Sequence, residues 1–398
     1  MSKTTTVTTV TADKAATGAD MAITAISENT AAEKEVVTTA TAEATTATAE
    51  TTTMATVTTA TVTTPVEAAT ATPAPASPNS PPRLIAIDHG NANIKTKNHV
   101  FPSGYIECGH LPNLGSQDIL LYNGKEYALS SKRMTQRSNK TKDEGHFILT
   151  LFAIGKELMM DKDKSFAVLQ AHGGAVRIKL AAGLPPGYFK EGMKDFYQYL
   201  NRKGQIEFKL NNMRFCIEIE EVYIYPQAYA AARTLYKELK DAVYVNVVDI
   251  GGYTVDCLRL ENFNPDVDVL VSLPKGVDTL FAGINNKIMA KMDKEIKDAV
   301  IEGVLLKDAK FLNTANTAPD RIMLIQEEAK AYTHDLLLRI SRTGLDLARD
   351  TTVFIGGGAL LIKDYILESG MAGKAIFADS VHANALGYEM IYEAQFKG

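Results

Sequence analysis

Two aspartates, each closing an apolar run and followed by glycine, are the residues of this chain best suited to chemistry. Asp88 follows Leu-Ile-Ala-Ile and precedes His-Gly-Asn, and Asp249 follows Val-Asn-Val-Val and precedes Ile-Gly-Gly-Tyr-Thr. Glycine lets backbone N–H groups approach an anion, and a neighbouring carboxylate can hold a hydrated divalent cation. Taken alone, the stretch around Asp249 fits a phosphate-binding turn and an ordinary tight hairpin equally well.

The elements that must position these aspartates are two predicted β-hairpins. Residues 245–260 read as a strand, a turn and a returning strand in which apolar residues alternate with Thr254, Asp256 and Arg259. Residues 83–97 repeat that order. The shared Asp-x-Gly suggests two related half-domains. Asp256 fits a charge near a cleft or simply the end of the hairpin.

Three other stretches could contribute to the same site. Residues 352–355 form an apolar strand that enters three glycines before a predicted helix, an order that suits close approach to a nucleotide or a tight turn. Gly276 begins an amphipathic helix. Gln227 follows Pro226 and is expected in the first turn of a helix, where it could orient a water or be a solvated cap. The Gly-Lys-Ser/Thr of the P-loop and the G-x-G-x-x-G of the Rossmann fold are both missing.

Hydrophobic periodicity predicts the elements between these stretches. A helix with one apolar face is expected over residues 147–160, and a long helical stretch over 322–349, divided near Thr343. The other expected elements are a strand within 176–186 that ends in a Gly/Pro stop, a helix at 190–200, and strands at 205–210, 215–219 and 222–225.

The first 82 residues differ in composition from the rest. They are rich in Thr, Ala and Val and contain no aromatic residue, so they could bury little apolar surface and are predicted to be disordered. Their three lysines and eight acidic residues account for the whole net charge of −5. The remaining residues are formally neutral, which argues against direct binding to nucleic acid.

The same sequence favours a cytoplasmic protein. Three cysteines are an odd number and lie far apart, which is typical of a reducing compartment. No apolar run is long enough to span a bilayer, and the tail lacks the order of a secretory signal. Cys108 lies beside His110, but no second pair of ligands accompanies it, so an isolated thiol is the better interpretation.

Five pieces in order resemble the signature of the actin-like ATPases. They are Asp88-x-Gly90, Pro226-Gln227-Ala228, Asp249-Ile250-Gly251-Gly252, Gly356-Gly357-Gly358 and Asn384-Ala385-Leu386-Gly387. Within that superfamily, the Gly-Leu-Pro stop at 183–185, the Pro-Gln-Ala connection and the Asn-Ala-Leu-Gly-Tyr ending are most similar to the bacterial plasmid-segregating actins, the ParM group.

The resemblance implies an α/β, two-lobed actin-like fold of duplicated ribonuclease-H-like domains. Lobe I would cover residues 83–240 with a small inserted subdomain at about 98–170, and lobe II would cover 241–380. A C-terminal helix at 381–398 would pack back on lobe I. The disordered tail at 1–82 has no counterpart in the family.

The resemblance also implies a site for ATP or ADP and Mg²⁺ between the lobes. Asp88 and Asp249 would hold Mg²⁺ through water, and Gln227 would orient the attacking water, so these three would be the catalytic residues. The residues expected to bind the nucleotide are Gly90, Asn91, Asn93, Lys95, Gly251, Gly252, Tyr253, Thr254, Gly276, Gly356, Gly357 and Gly358.

The function implied is a bacterial cytoplasmic ATPase that polymerises with itself and segregates plasmid DNA through an adaptor bound at a centromere-like site. Neither direct nucleic-acid binding nor a membrane is expected. A sugar or carboxylate kinase of the same superfamily is one alternative. It would need an aspartate as general base for a substrate hydroxyl. A chaperone-like ATPase that does not assemble is another.

Overall fold

A computed structural model describes residues 81–109, 118–131, 134, 140–160, 174–313 and 317–396. All but the last two residues of the predicted disordered tail lie outside these ranges, as does part of the predicted inserted subdomain. Among the described residues, no helix combines the length and apolar character needed to cross a bilayer.

The first sheet has nine strands in the order β3-β2-β1-β7-β9-β8-β5-β6-β4. Its centre is parallel, with β7 between β1 and β9, and the strands on both sides pair antiparallel. The strands are β1 (Arg83–His89), β2 (Asn93–Lys95), β3 (Val100–Pro102), β4 (Tyr105–Cys108), β5 (Ile119–Tyr122), β6 (Lys125–Leu129), β7 (Val176–Leu184), β8 (Gln205–Leu210) and β9 (Met213–Pro226).

The second sheet has five strands in the order β12-β11-β10-β13-β14. They are β10 (Tyr244–Ile250), β11 (Val255–Glu261), β12 (Asn264–Leu273), β13 (Thr351–Ile355) and β14 (Lys374–Phe377). As in the first sheet, a hairpin places its first strand beside a later parallel strand, here β10 beside β13. Both predicted hairpins are confirmed, and the two sheets repeat one arrangement.

Helices cover these sheets. They are α1 (Gly145–Met159), α2 (Pro186–Leu200), α3 (Tyr229–Arg233), α4 (Tyr236–Leu239), α5 (Val277–Met292), α6 (Asp298–Leu305), α7 (Ala309–Leu312), α8 (Pro319–Ser341), α9 (Gly357–Leu361), α10 (Lys363–Ser369) and α11 (Ala383–Phe396). The fold is the two-sheet α/β fold expected from the sequence. The domain boundary near residue 240 stays a prediction; the strands before and after it belong to different sheets.

The predicted elements differ from the observed ones in three places. Helix α2 begins at Pro186, four residues earlier than expected, because proline fits the first helical position. Strand β9 is continuous where two strands were expected. The long helix α8 ends at Ser341 and no second helix follows, because Gly344 has a φ of +98° in the turn after it. Residues 345–350 remain non-helical.

Helix α1 is buried almost all round, rather than on one face. The apolar residues expected in the core, among them Phe147 and Leu151, are fully buried, and so is Phe152 on another side of the helix. A helix that is apolar on all sides is typical of the interior of a large domain. It packs on β1, the strand that carries Asp88.

Helix α11 lies against α3, β1 and β7. Gly387 permits this contact, because a Cβ atom built there would lie 1.8 Å from the carbonyl oxygen of Ala230. On the other side, the side chain of Tyr388 occupies the space beside Gly183, where a Cβ would lie 2.0 Å from its hydroxyl oxygen. The chain after β14 is thereby held against the strand that begins the first sheet.

Removal of residues 1–82 is expected to leave the melting temperature unchanged, because the Thr/Ala-rich tail offers little apolar surface to bury. The measurement is thermal unfolding followed by circular dichroism. Removal of residues 1–90 is the control: it also deletes β1, which pairs with β2 and β7, and should prevent folding. A large fall in melting temperature for the shorter deletion would contradict the assignment of the tail.

Candidate functional site

The turns of the two hairpins face one cavity of about 440 Å³, lined by residues of both sheets. This volume is in the range of sites for small molecules and cofactors. The expected site residues that line it are Asp88, Gly90, Asn91, Asn93, Lys95, Gln227, Asp249, Gly251, Gly252, Tyr253, Thr254, Gly356, Gly357 and Gly358. Residues from distant parts of the sequence are therefore brought together.

Asp88 is buried at the end of β1, between a cation and an amide. The register of the hairpin sets Lys95 directly opposite it, and the Lys95 Nζ lies 3.1 Å from the Asp88 Oδ2. The Gln227 Nε2 donates to the Asp88 Oδ1 over 2.6 Å. Burial lowers the pKa of Lys95, but the charges of Asp88 and Asp249 outweigh that effect and raise it. The ammonium therefore stays charged at neutral pH.

Asp249 occupies the corresponding position at the end of β10. Burial raises the pKa of its carboxyl, Lys95 opposes that rise, and the like charge of Asp88 adds to it. The Asn384 Nδ2, on α11, donates to the Asp249 Oδ2 over 3.0 Å, and its Oδ1 accepts from the Ala228 backbone N–H over 2.9 Å. One amide thus joins the aspartate of the second sheet to the turn that carries Gln227.

Gln227 is not in the first turn of a helix, contrary to expectation. It lies in the turn between β9 and α3, and α3 begins two residues later, at Tyr229. Ala228 has a φ of +60°, which interrupts the helical path after Pro226. The Gln227 backbone N–H donates to the Leu184 carbonyl over 2.8 Å, so the turn is attached to the end of β7. The amide is buried in the cavity wall rather than solvated as a cap.

Glycine at two positions allows the walls of the cavity to come close. A Cβ at Gly252 would lie 2.6 Å from the Cβ of Ala92, so the two hairpin turns approach each other directly. Gly356 has a φ of +90°, and a Cβ there would lie 2.5 Å from the Asp249 Oδ1. Only Gly356 precedes helix α9, whereas Gly357 and Gly358 form its first turn. The expectation of three glycines before the helix is therefore corrected.

Gly276 does not line the cavity; it supports the second turn from behind. Its backbone N–H donates to the Tyr253 carbonyl over 2.7 Å, and the next two N–H groups of α5 donate to the carbonyls of Gly251 and Gly252. The N-terminus of α5 is thus used to fix the β10–β11 turn. Its positive end points toward that turn and favours an anion beyond it.

The cavity is also lined by residues that were not expected to bind the nucleotide. The sequence allowed two roles for Asp256, a charge near the cleft or simply the end of the hairpin. Asp256 lines the cavity, and burial raises the pKa of its carboxyl to about 6. It accepts hydrogen bonds from the hydroxyls of Ser272 and Thr254. Lys140, Phe281 and Glu302 line the cavity as well. The alternation of β11 pointed to Asp256, whereas nothing in the sequence singled out Lys140.

The donor set fits a nucleotide with hydrated Mg²⁺. Among the described residues, no group of three or more His, Cys, Asp or Glu side chains could hold a metal by themselves. Magnesium commonly keeps several waters and takes only one or two carboxylates together with phosphate oxygens. Asp88 and Asp249 could supply those carboxylates, and Lys95 could neutralise phosphate charge.

Two family models match the chain in succession. Residues 86–229 match the N-terminal domain of the actin-like proteins, and residues 247–368 match the C-terminal domain of the archaeal MreB-like actin homologue. Together they cover the two sheets except the first residues of β1 and β10 and the whole of β14. No curated protein sequence matches it.

Solved structures of actin-like proteins share the fold. The archaeal actin homologue Ta0583 superposes with a TM-score of 0.62 at 17% identity, over 78% of this chain and 99% of its own. The apo pSK41 ParM protein superposes with a TM-score of 0.58 at 17% identity, over 79% of this chain and 98% of its own. A 15-stranded ParM filament from Clostridium botulinum superposes with a TM-score of 0.57 at 17% identity, over 79% of this chain and 99% of its own. On the two matched domains and this shared fold, the chain belongs to the actin-like superfamily.

Proposed function

We propose that this protein binds and hydrolyses ATP and polymerises into filaments. One observation carries the proposal: two glycine turns from different sheets meet across one cavity, and each has an aspartate at its base, the buried Asp88 and the partly buried Asp249. The related Ta0583 has been solved in complex with ADP, and the related AlfA as a filament bound to AMPPNP. The same turns in this chain are suited to phosphate groups.

Each part of the cavity has a role in this proposal. The backbone N–H groups of the two turns, residues 90–93 and 251–254, bind phosphate oxygens, and Lys95 neutralises part of their charge. Asp88 and Asp249 hold Mg²⁺ through water. When bound, the ion supplies charge stabilisation for phosphoryl transfer. The glycines at 356–358 border the ribose and base beside β13, and Gly357, where an added Cβ would meet nothing within 4 Å, leaves room for them.

Gln227 orients the water that attacks. Its amide is held by Asp88 through Nε2, which leaves the carbonyl oxygen to accept from a water on the cavity side. Positioning of a nucleophile is the main service that a protein provides in phosphoryl transfer. The backbone hydrogen bond to Leu184 fixes the turn, so the amide has little freedom to leave this place.

Gln227→Ala is expected to slow ATP hydrolysis by on the order of 100-fold while ATP-driven assembly continues, because positioning is lost and phosphate binding is kept. Phosphate release and pelleting measured on the same samples check this. The control is Gln198→Ala, an exposed glutamine of α2. Normal turnover in Gln227→Ala would remove this residue from the mechanism.

We further propose that the filament segregates plasmid DNA through an adaptor protein in a bacterial cytoplasm. Two observations support this: several structural relatives are ParM proteins or filaments, and the sequence beyond residue 82 is formally neutral. A neutral surface gives little electrostatic attraction for DNA, so a second protein would have to make that contact. Hydrolysis alters the preferred arrangement of the lobes, which allows the filament to lose stability with time.

Electron microscopy and light scattering test assembly. Filaments are expected with ATP and Mg²⁺ and not without nucleotide. Assembly without nucleotide, or no assembly with ATP, would contradict the polymerisation part of the proposal. Binding of labelled plasmid DNA by the protein alone would contradict the need for an adaptor.

A small-molecule kinase is a second candidate, favoured by one observation. Asp256 is a buried carboxyl in the cavity with a pKa raised to about 6, as a general base for a substrate hydroxyl requires. Its two oxygens already accept from Ser272 and Thr254, however, which restricts access to a substrate. ATP turnover at low protein concentration, with and without sugars, separates the candidates: stimulation by a sugar would favour the kinase.

A further inference from the structure

Lys140 brings a second cation into the part of the cavity formed by the first turn. Its side chain is only 8% exposed and lines the same cavity as Lys95 and Gln227. The Lys140 Nζ donates to the carbonyl oxygen of His89, the residue immediately before Gly90. The ammonium therefore lies against the backbone of the first turn, although it comes from the segment that precedes α1.

Among the described residues, Lys140 has no directly paired carboxylate. Within the described ranges no Asp or Glu oxygen is in salt-bridge distance of it, and it uses one of its three N–H donors on the His89 carbonyl. Asp88, the nearby carboxylate of the first turn, already accepts from Lys95 and Gln227. Burying an ammonium is costly unless it has an anionic partner. A ligand anion in the cavity would supply one.

Asp256 does not fill that role either. Its oxygens accept from Ser272 and Thr254, and it influences Lys140 only through its field. His89 offers no negative charge, and burial lowers the pKa of its imidazole well below the ordinary value, so it stays neutral. Because no described residue accepts from the other two donors of Lys140, these donors are available to an acceptor that enters the cavity.

We infer that Lys140 binds the terminal phosphate group of a nucleoside triphosphate and so gives the cavity a preference for triphosphate over diphosphate. The inference depends on the proposed nucleotide binding, which it makes more specific. Lys95 is already paired with Asp88 and lies in the field of Asp249, the two carboxylates proposed to hold the ion. A second ammonium with spare donors matches the extra charge that distinguishes a triphosphate from a diphosphate.

A purely structural role for Lys140 makes a different prediction. If the lysine only ties the segment before α1 to the His89 carbonyl, its loss would loosen the first turn and weaken both nucleotides alike. If it binds the terminal phosphate, its loss would weaken only the triphosphate. The ratio of the two affinities therefore separates the roles.

The test is equilibrium binding of ADP and of a non-hydrolysable ATP analogue, both with Mg²⁺, to the full chain carrying Lys140→Gln. The analogue is expected to bind on the order of 10-fold more weakly than to the unsubstituted protein, the change that one charge-assisted hydrogen bond brings. Affinity for ADP should change less than about twofold. Lys140→Arg, which keeps the charge, should retain most of the preference for the triphosphate.

Lys142→Gln is the matched control, because Lys142 lies two residues away and is exposed. It should change neither affinity. If thermal melting shows that Lys140→Gln does not fold, the affinities for ADP and the ATP analogue are measured on Lys140→Met instead, which keeps the length of the lysine stem. An unchanged affinity ratio, or an equal loss for both nucleotides, would overturn the inference.

The failure of this inference can be distinguished from failure of the proposed function. If the unsubstituted protein binds neither nucleotide, the proposed function is wrong and the inference falls with it. If the unsubstituted protein binds and hydrolyses ATP while Lys140→Gln keeps the full preference for the triphosphate, only the role of Lys140 is wrong.

Discussion

Asp249→Asn is expected to reduce Mg²⁺-dependent ATP hydrolysis about 100-fold or more, because it removes the charge that we propose holds the hydrated ion on the second-sheet side. The substitution keeps the shape of the side chain and an oxygen that can accept from Asn384. The fold should therefore be retained. Phosphate release at saturating ATP, measured over a series of Mg²⁺ concentrations, checks this expectation.

The stability of the same variant gives an independent test. Because burial raises the pKa of Asp249, the ionised carboxyl is disfavoured in the folded protein without ligands, and its neutral isostere should not lower the melting temperature. Asp241→Asn, an exposed aspartate outside the cavity, is the control and should leave turnover unchanged. Retained Mg²⁺-dependent turnover in Asp249→Asn would exclude Asp249 from metal binding.

Gly387→Ala is expected to destabilise the fold by about 2 kcal/mol. The new Cβ would lie 1.8 Å from the Ala230 carbonyl oxygen, a backbone atom that cannot move without separating α11 from α3. Overpacking of this kind costs up to about 3 kcal/mol. Replacing a helical glycine by alanine stabilises the helix by about 1 kcal/mol, which offsets part of that cost. Urea denaturation gives the free energy of unfolding directly.

Gly192→Ala is the matched control for this prediction. Gly192 is also helical, in α2, but the nearest atom to its added Cβ would be a methyl carbon of Leu184 at 3.3 Å, which a small side-chain movement can relieve. The control should be neutral or should gain up to about 1 kcal/mol. Equal effects of the two substitutions would show that α11 is not packed against α3 as closely as the structure indicates.

The parts of the site that could be predicted are those fixed by neighbours in sequence. An aspartate closing an apolar strand before glycine predicts its own hairpin, and both turns were placed correctly from that pattern, with Asp88 facing Lys95 by register. The positive φ of Ala228 could not be predicted, because alanine rarely adopts it and the preceding proline favoured a helix. Gln227 was therefore assigned to the wrong element, although it reaches the cavity.

The parts that could not be predicted depend on contacts between distant residues. Lys140 and His89 are 51 positions apart, and Asn384 and Asp249 are 135 apart. A lysine in a polar segment and an asparagine at the start of a helix are each ordinary in sequence. Only the folding of both sheets around the cavity gives them a place there. The burial of α1 on nearly all sides could not be predicted either, because it depends on which distant parts of the chain cover the helix.

The position of Asn384 at the beginning of α11 has a mechanical consequence. The helix has 14 residues and is about 20 Å long, and it ends at Phe396, whose side chain is exposed. Because a helix is stiff along its axis, we expect a force applied at Phe396 to reach Asn384 and, through its amide, both Asp249 and Ala228. The exposed end of α11 is thus connected through one helix to Asn384 and Asp249, which line the cavity.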